Sequence, residues 1–403
     1  MNVNTVLKQT LSDLRELGVI LAISFFMFLG FRSGGVLQPL YTRFFEIEPS
    51  LIGTLFFLSN IASSIVRIPA GLVSDKYGRK PIIIIASTTF LAASGLYMVA
   101  NDFLSMVAPF ILWGSAAGFF FTSINALIGD MTNTDNRVTI FARIGMINMI
   151  ANIVGPTLTG ILADSLGIVL SFSVLVITFV VMTFFSLRIS EPKKEDPAIE
   201  STVTSLSLIK GSAKPIILAY SGLRFIFGIY AGMYWPALTI VQKSVFQLSY
   251  SEIGLVSAVD MISQLFGLSL CNRTIVKFNP RYIMILSSLV ALGIATIYYS
   301  ADNYVLLLLV TIISGFSFSF SFLSPIGNSL FMNALPSSIR GISQGIIGTI
   351  WRIGMATGSL LMGVIWDHSG LHMILYAGGA IMLIEAVALF FLLPKNDAQI
   401  ETE

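Results

Sequence analysis

The stretch AGLVSDKYGRKP, residues 70–81, is a strongly charged turn between two long apolar runs. Such a turn cannot lie inside lipid, because a charged side chain at the bilayer centre costs about 3 kcal/mol. An excess of cations places a short turn on the cytoplasmic side of a membrane. Gly71 and Gly78 suit a close helix approach and a tight turn, respectively. The charged residues of the turn are Asp75, Lys76, Arg79 and Lys80.

The composition is that of a membrane protein. Hydrophobic residues make up 55% of the 403 residues, charged residues 11%, and the mean hydropathy is +0.86. Soluble domains carry about 25% charged residues. Since each crossing needs about 20 apolar residues, the chain accommodates about twelve spanning helices and is predicted to be an all-α polytopic membrane protein.

Several other classes of protein are disfavoured by what the sequence contains. A single cysteine, Cys271, excludes an internal disulfide and a cysteine-rich metal site. His368 and His372 have the spacing of a metal-binding pair, but they straddle a predicted turn and lack a third ligand. We find no nucleophile set and no phosphate-binding loop, and the net charge of +2 does not suggest nucleic-acid binding. The chain is therefore predicted not to be an enzyme and to need no metal or cofactor.

The charged turn resembles the signature loop of the major facilitator superfamily. That loop reads Gly, three residues, Asp, Arg or Lys, any residue, Gly and two basic residues, and the match is complete. The turn also lies between the second and third apolar segments, as in the family. The resemblance implies 12 transmembrane helices in two pseudo-symmetric six-helix bundles, and a secondary transporter that works by alternating access.

Internal repeats and loop charges define the predicted organisation. An offset of 203 residues superposes Gly155 on Gly358 and Asp164 on Asp367, and an offset of 201 superposes residues 50–53 on residues 251–254. We predict an N-terminal bundle at 1–188, a cytoplasmic linker at 189–213 and a C-terminal bundle at 214–403. Of the predicted loop cations, only Arg43 and Lys243 fall on the outer face, so both termini are predicted to be cytoplasmic. The predicted location is the cell membrane, which the chain crosses many times.

Polar residues predicted at membrane depth suggest a solute cavity. In the family, spans 1, 4, 7 and 10 line the central cavity. Arg32 in span 1 and Arg224 in span 7 would hold an anionic or amphiphilic substrate by charge-assisted hydrogen bonds. The alternative is that they form internal salt bridges or cap backbone carbonyl groups. The predicted cavity residues are Arg32, Arg224, Asn125, Asn328, Tyr230, Tyr234 and Trp235.

Three further ionisable residues are predicted inside the C-terminal half. Asp260 and Arg352 are expected to form a buried ion pair, or Asp260 is the carrier of a coupled proton. Glu385 in the last span belongs to the same group of proton-coupling or ion-pair candidates. For Glu385 a structural or lipid-interface role is favoured.

The resemblance also gives the charged turn a role as a cytoplasmic gate. In the family the aspartate of the turn, here Asp75, faces the N-terminal end of the eleventh span, where unpaired amides favour an anion. Arg79 would pair with Asp130 at the end of the fourth span, with Arg137 close by. The alternative is a basic turn that only sets topology. The predicted gate motif comprises Gly71, Asp75, Lys76, Gly78, Arg79, Lys80, Asp130 and Arg137.

The fifth predicted span carries GPTLTG, residues 155–160, which resembles the antiporter motif of the family, with Thr159 in place of a glycine. We therefore predict proton-coupled export of a small organic solute, amphiphilic or anionic. The alternatives are proton-coupled uptake of an organic anion, a lipid or glycolipid flippase, and a non-transporting sensor. The expected partners are the solute, H⁺ and membrane lipid, without nucleic acid, and the chain is expected to act as a monomer.

Overall fold

A computed structural model describes residues 3–131, 134–190, 213–274, 279–300, 303–319, 321, 331, 335 and 339–392. Every regular element within these ranges is a helix. The helices are α1 (Val3–Phe44), α2 (Pro49–Tyr77), α3 (Arg79–Tyr97), α4 (Phe103–Asp130), α5 (Thr134–Leu166), α6 (Ile168–Ser171), α7 (Ser173–Leu187), α8 (Ala213–Ser244), α9 (Tyr250–Thr274), α10 (Pro280–Ser300), α11 (Tyr304–Ser319), α12 (Arg340–Ser369) and α13 (Leu371–Leu392).

The lengths and apolar composition of these helices confirm the prediction of a polytopic membrane protein. Among the described residues, 10 helical segments are long and apolar enough to cross a bilayer, with α6 and α7 counted together as Ile168–Leu187. Two shorter apolar helical segments, Arg281–Ile294 and Tyr304–Ser319, belong to α10 and α11. Residues 316–319, FSFS, alternate like a strand in the sequence, but they form the end of helix α11.

The chain divides into two compact units. The N-terminal unit comprises Met1–Ile199 and Gln247–Ala258, and the C-terminal unit comprises Glu200–Phe246 and Val259–Glu403. The first division falls within the predicted linker at 189–213. The second falls inside α9, whose first turns pack with the N-terminal unit, although the sequence places them in the C-terminal bundle.

The same order of helix packing recurs in both units. In the N-terminal unit, α2 packs on α4, α4 on α3, α3 on α7, α7 on α1 and α1 on α5. In the C-terminal unit, α11 packs on α10, α10 on α13, α13 on α8 and α8 on α12. Since α1 corresponds to α8, α3 to α10, α4 to α11, α5 to α12 and α7 to α13, the internal repeat in the sequence is also a repeat of contacts.

Glycines set the closest of these contacts. A Cβ atom built on Gly114 of α4 would lie 1.8 Å from the carbonyl oxygen of Ser59 in α2. One built on Gly315 of α11 would lie 2.5 Å from the carbonyl oxygen of Asp260 in α9. The two pairs are related by the 201-residue offset. Backbone-to-backbone packing at small residues is how helices associate in lipid, where burial of apolar surface supplies little driving force.

Candidate functional site

The charged turn is held by Arg79, the first residue of α3. Gly78 before it has φ +100°, a conformation that L side chains rarely adopt, and this glycine turns the chain between α2 and α3. The Nη1 of Arg79 donates hydrogen bonds to Asp75 and to Ser74 Oγ, the latter at 3.0 Å, and its Nε donates to Asp130 Oδ2 at 3.0 Å. One guanidinium thus ties together the ends of α2, α3 and α4.

The other residues of the gate motif differ in their surroundings. Lys76 is exposed, with its Nζ 5.0 Å from the centre of the Tyr77 ring, and Lys80 is half-buried. A Cβ atom on Gly71 would meet Thr122 at 3.6 Å, an ordinary contact, so our expectation that Gly71 permits close helix approach is corrected. The side chain of Arg137 lies outside the described residues.

Arg32 lies beside an aromatic face of the N-terminal unit. Phe121 of α4 contacts two rings of α1, with centroids 6.0 Å from Phe28 and 5.6 Å from Phe31. Arg32 follows Phe28 by one helical turn on α1, so its side chain leaves the helix on the same side. All four side chains are half-buried. Arg32 stands out in the sequence but these phenylalanines do not, because 31 phenylalanines in one chain obscure any local pattern.

Asn125 lies at the other end of this aromatic face. It follows Phe121 by one turn of α4, is exposed, and its Nδ2 donates to the carbonyl oxygen of Phe121 at 3.2 Å. Because α1 and α4 run in opposite directions, Arg32 and Asn125 lie about 10 Å apart along the helix axes, on either side of the rings. We call Phe28, Phe31, Arg32, Phe121 and Asn125 the aromatic–arginine face. The counterpart predicted in the other half, Asn328, lies outside the described residues.

The aromatic run of α8 does not form one surface. Tyr230 and Tyr234 are 8% and 4% exposed, and their rings stack with centroids 4.9 Å apart. Both contact the position of Gly378 in α13, so they pack between helices instead of lining a cavity, which corrects our expectation. Trp235 is 38% exposed. A helix turns 100° per residue, which separates Trp235 from the two tyrosines.

Arg224 is directed towards the interior of the C-terminal unit. Its Nη2 donates to the hydroxyl of Tyr220 at 2.7 Å, and its guanidinium lies 5.0 Å from the centre of that ring. It also interacts electrostatically with Glu385 of α13. Part of the charge of Arg224 is therefore compensated within the protein.

Asp260 and Arg352 have other described contacts. Asp260 accepts a hydrogen bond from Gln264 Nε2 at 2.9 Å and packs against Gly315 of α11. Arg352 is 9% exposed, and its guanidinium lies 5.1 Å from the Trp351 ring centre. The ion pair between Asp260 and Arg352 stays a prediction.

Glu385 is buried inside the C-terminal unit. It is 1% exposed, and its Oε2 accepts a hydrogen bond from Ser288 Oγ of α10 at 3.1 Å. Of the two roles favoured for Glu385, structural or at the lipid interface, this burial contradicts the second. The sequence could not separate the two roles because α13 is apolar on all sides, which leaves no sign of the face that packs against the protein.

Asp164, near the end of α5, was not among the predicted site residues, but it joins α5 to α9. Asp164 accepts hydrogen bonds from the backbone amides of Tyr250 and Ser251, at 2.9 and 2.8 Å, at the start of α9. Nearby, a Cβ atom on Gly160 would lie 2.3 Å from the carbonyl oxygen of Tyr250. The last glycine of GPTLTG therefore allows α5 to approach α9, and Asp164 caps that helix. The sequence could have pointed to Asp164, because Asp164 superposes on Asp367 in the internal repeat.

Comparisons with known proteins agree with this architecture. The Major Facilitator Superfamily model matches residues 20–228 and 220–403. Multidrug resistance protein 2 of Bacillus subtilis is 21% identical over 401 residues, which cover 97% of this chain and 99% of that protein. Quinolone resistance protein NorA of Staphylococcus aureus is 21% identical over 374 residues, or 90% and 94% of the two chains.

A solved structure shows the same fold. The crystal structure of a D-xylose-proton symporter superposes with a TM-score of 0.76 at 14% identity, covering 94% of this chain and 98% of that one. The matches to the family model extend over both repeats, and they confirm the resemblance found at the charged turn as well as the predicted two-bundle fold. This chain is a multi-pass membrane transporter, not an enzyme, and it belongs to the Major Facilitator Superfamily.

Proposed function

We propose that this transporter exports small amphiphilic organic molecules from the cytoplasm across the cell membrane, in exchange for protons. The observation that carries the proposal is the aromatic–arginine face, which combines flat apolar rings with a guanidinium at membrane depth. Arg32 is 12 residues, or about 18 Å, from the end of α1 at Phe44. A cation held that deep in a spanning helix suits a solute that carries an anionic group on an apolar body.

Similarity to proteins named for drug resistance supports the direction of transport. Two relatives that are similar over nearly their whole length are named for resistance to drugs and to quinolones. Quinolones are planar aromatic molecules with a carboxylate, and both parts have a complement on the aromatic–arginine face. Arginine binds a carboxylate through two parallel hydrogen bonds. The phenylalanine rings would stack on the aromatic body.

Everted membrane vesicles test this function. We expect vesicles that contain the transporter and have an acidic lumen to accumulate norfloxacin, a fluorescent quinolone, and to lose it when a protonophore collapses the pH gradient. The methyl ester of norfloxacin, which lacks the carboxylate, should accumulate several-fold less. Accumulation in right-side-out vesicles with acid outside would instead support proton-coupled uptake. Accumulation that is indifferent to the protonophore would contradict proton coupling.

We further propose that the charged turn acts as a cytoplasmic gate, with both termini in the cytoplasm. Arg79 binds Asp130 as well as Asp75, and the Asp75 side chain is 57% exposed. Removing the charge of Asp75 should therefore weaken the closed gate while the turn keeps its structure. An anion at a helix N-terminus contributes about 0.3–1 kcal/mol.

Asp75→Asn should raise cytoplasmic accessibility of the aromatic–arginine face about two- to fivefold. The measurement is the rate at which a membrane-impermeant maleimide labels a cysteine substituted for Asn125, in a Cys271→Ser background. The comparison variant is Asp130→Asn, which breaks only the pair with Arg79 inside the N-terminal unit. If Asp130→Asn raises the rate as much as Asp75→Asn, the effect comes from the pairing of Arg79, and the gate role of Asp75 fails.

A further inference from the structure

The C-terminal unit contains a buried carboxyl group in surroundings unlike those of a structural salt bridge. The Oε2 atom of Glu385 accepts one hydrogen bond, from the neutral hydroxyl of Ser288. The other oxygen, Oε1, is buried and has no hydrogen-bond partner. A buried ionised carboxylate is costly unless it is paired and fully hydrogen-bonded, whereas a neutral carboxyl group costs far less. These surroundings suit a group that gains and loses a proton.

Ser288 can serve both protonation states. Its Oγ lies 3.1 Å from Glu385 Oε2 and 3.3 Å from the carbonyl oxygen of Met284, one turn earlier on α10. When Glu385 is ionised, the hydroxyl donates to the carboxylate. When Glu385 is protonated, its O–H can donate to Ser288 Oγ, which then donates to Met284. Neither state leaves the hydroxyl without a bond.

The charged and titratable groups around Glu385 come from the helices packed on α13. From α8, Arg224 interacts with it electrostatically, and Tyr230 lies close enough to respond to its charge. From α10, Arg281 contacts Phe390, more than one turn further along α13. From α12, Arg352 contacts Trp351 and Met355.

We propose that Glu385 is the group that binds and releases the transported proton, with Ser288 as its hydrogen-bond partner. The step forms one O–H bond on Glu385 from a proton of one aqueous side and breaks it towards the other side. The inference rests on the proposed proton-coupled export and names the site of its coupling.

Binding and loss of this proton change the charge inside the C-terminal unit. Glu385 is neutral when it is protonated and carries one negative charge when it is ionised. Exchange of solute for protons requires that the solute bind more tightly to the ionised form, and by linkage protonation then weakens solute binding by the same factor.

Infrared difference spectroscopy of the purified protein tests the site without any solute. As pH falls, wild type should gain the C=O band of a protonated carboxyl group, and Glu385→Gln should lack that band. Ser288→Ala should shift the frequency of the band, because a hydrogen bond to the carboxyl group is lost. Glu48→Gln, a change at an exposed glutamate, is the matched control and should retain the band. A band that persists unchanged in Glu385→Gln overturns the proposal.

Transport in vesicles completes the test. In a pH gradient, vesicles with Glu385→Gln should accumulate at least tenfold less norfloxacin than wild-type vesicles. Without a gradient, the variant should still exchange norfloxacin across the membrane. If Asp260→Asn removes the gradient-driven accumulation while Glu385→Gln does not, the proton site is elsewhere and the proposal fails. If wild type itself shows no gradient-driven accumulation, the proposed export function is contradicted. The infrared experiment then still decides whether Glu385 takes up a proton.

Discussion

Replacing Arg32 by alanine is expected to lower norfloxacin transport about 10- to 100-fold while the protein still folds. A hydrogen bond to a charged group contributes about 1.5–3 kcal/mol, and each 1.4 kcal/mol changes a binding constant tenfold. The loss should appear in the solute concentration that half-saturates transport. It should be much smaller for the methyl ester of norfloxacin, which has no carboxylate for Arg32 to bind.

The control for Arg32 is on the same helix. Arg43→Ala removes an exposed arginine three turns away, in the last turn of α1, and should leave transport unchanged. A Phe121→Ala variant should weaken norfloxacin and its ester equally, because the ring contacts the apolar body that both share. If Arg32→Ala transports norfloxacin as well as wild type does, the aromatic–arginine face is not the solute site.

Gly232→Ala is expected to have a large effect on stability. A Cβ atom on Gly232 of α8 would lie 2.0 Å from the carbonyl oxygen of Met355 in α12, which is backbone and cannot rotate away. Overpacking of this kind costs about 1–3 kcal/mol, which corresponds to a melting temperature lower by about 2–12 °C. Cys271, 1% exposed in the same unit, reports the unfolding when it reacts with a thiol-reactive dye.

Gly222→Ala provides the matched control on the same helix. No atom lies within 4 Å of a Cβ built at Gly222, ten residues before Gly232. Alanine is also the better helix former, so this variant should melt at the wild-type temperature or slightly above it. Equal melting of the two variants would show that α8 and α12 separate enough to accept a methyl group, and the close packing would be refuted.

Much of the fold could be predicted because lipid restricts the choices. Only helices and closed barrels satisfy their backbone groups in a bilayer, so apolar segment length determines the spans. The repeat of Gly155 at Gly358, and of other positions at similar offsets, then predicts two bundles of the same design. The turn at Gly78 was also predictable, since its charges exclude it from lipid and its conformation requires glycine.

The candidate site was predicted less completely. Arginine at membrane depth is rare enough to single out Arg32, and the motif indicated that Arg79 would lie near Asp130. Neighbours on other helices could not be predicted, because a span that is apolar all round carries no signal of which face packs inward. Tyr230 and Tyr234 were therefore assigned to a cavity wall, and for Glu385 a lipid-interface role stayed open beside a structural one.

From the residues alone it follows that this chain spans a membrane as two related sets of helices, and which of its residues carry charge where charge is costly. The packed helices were needed to show that Phe121 contacts Phe28 and Phe31, and that Glu385 accepts a hydrogen bond from Ser288. The two kinds of information differ because hydropathy depends on each residue alone. Contact depends instead on how two helices rotate about their axes, and close backbone packing at glycines fixes that rotation.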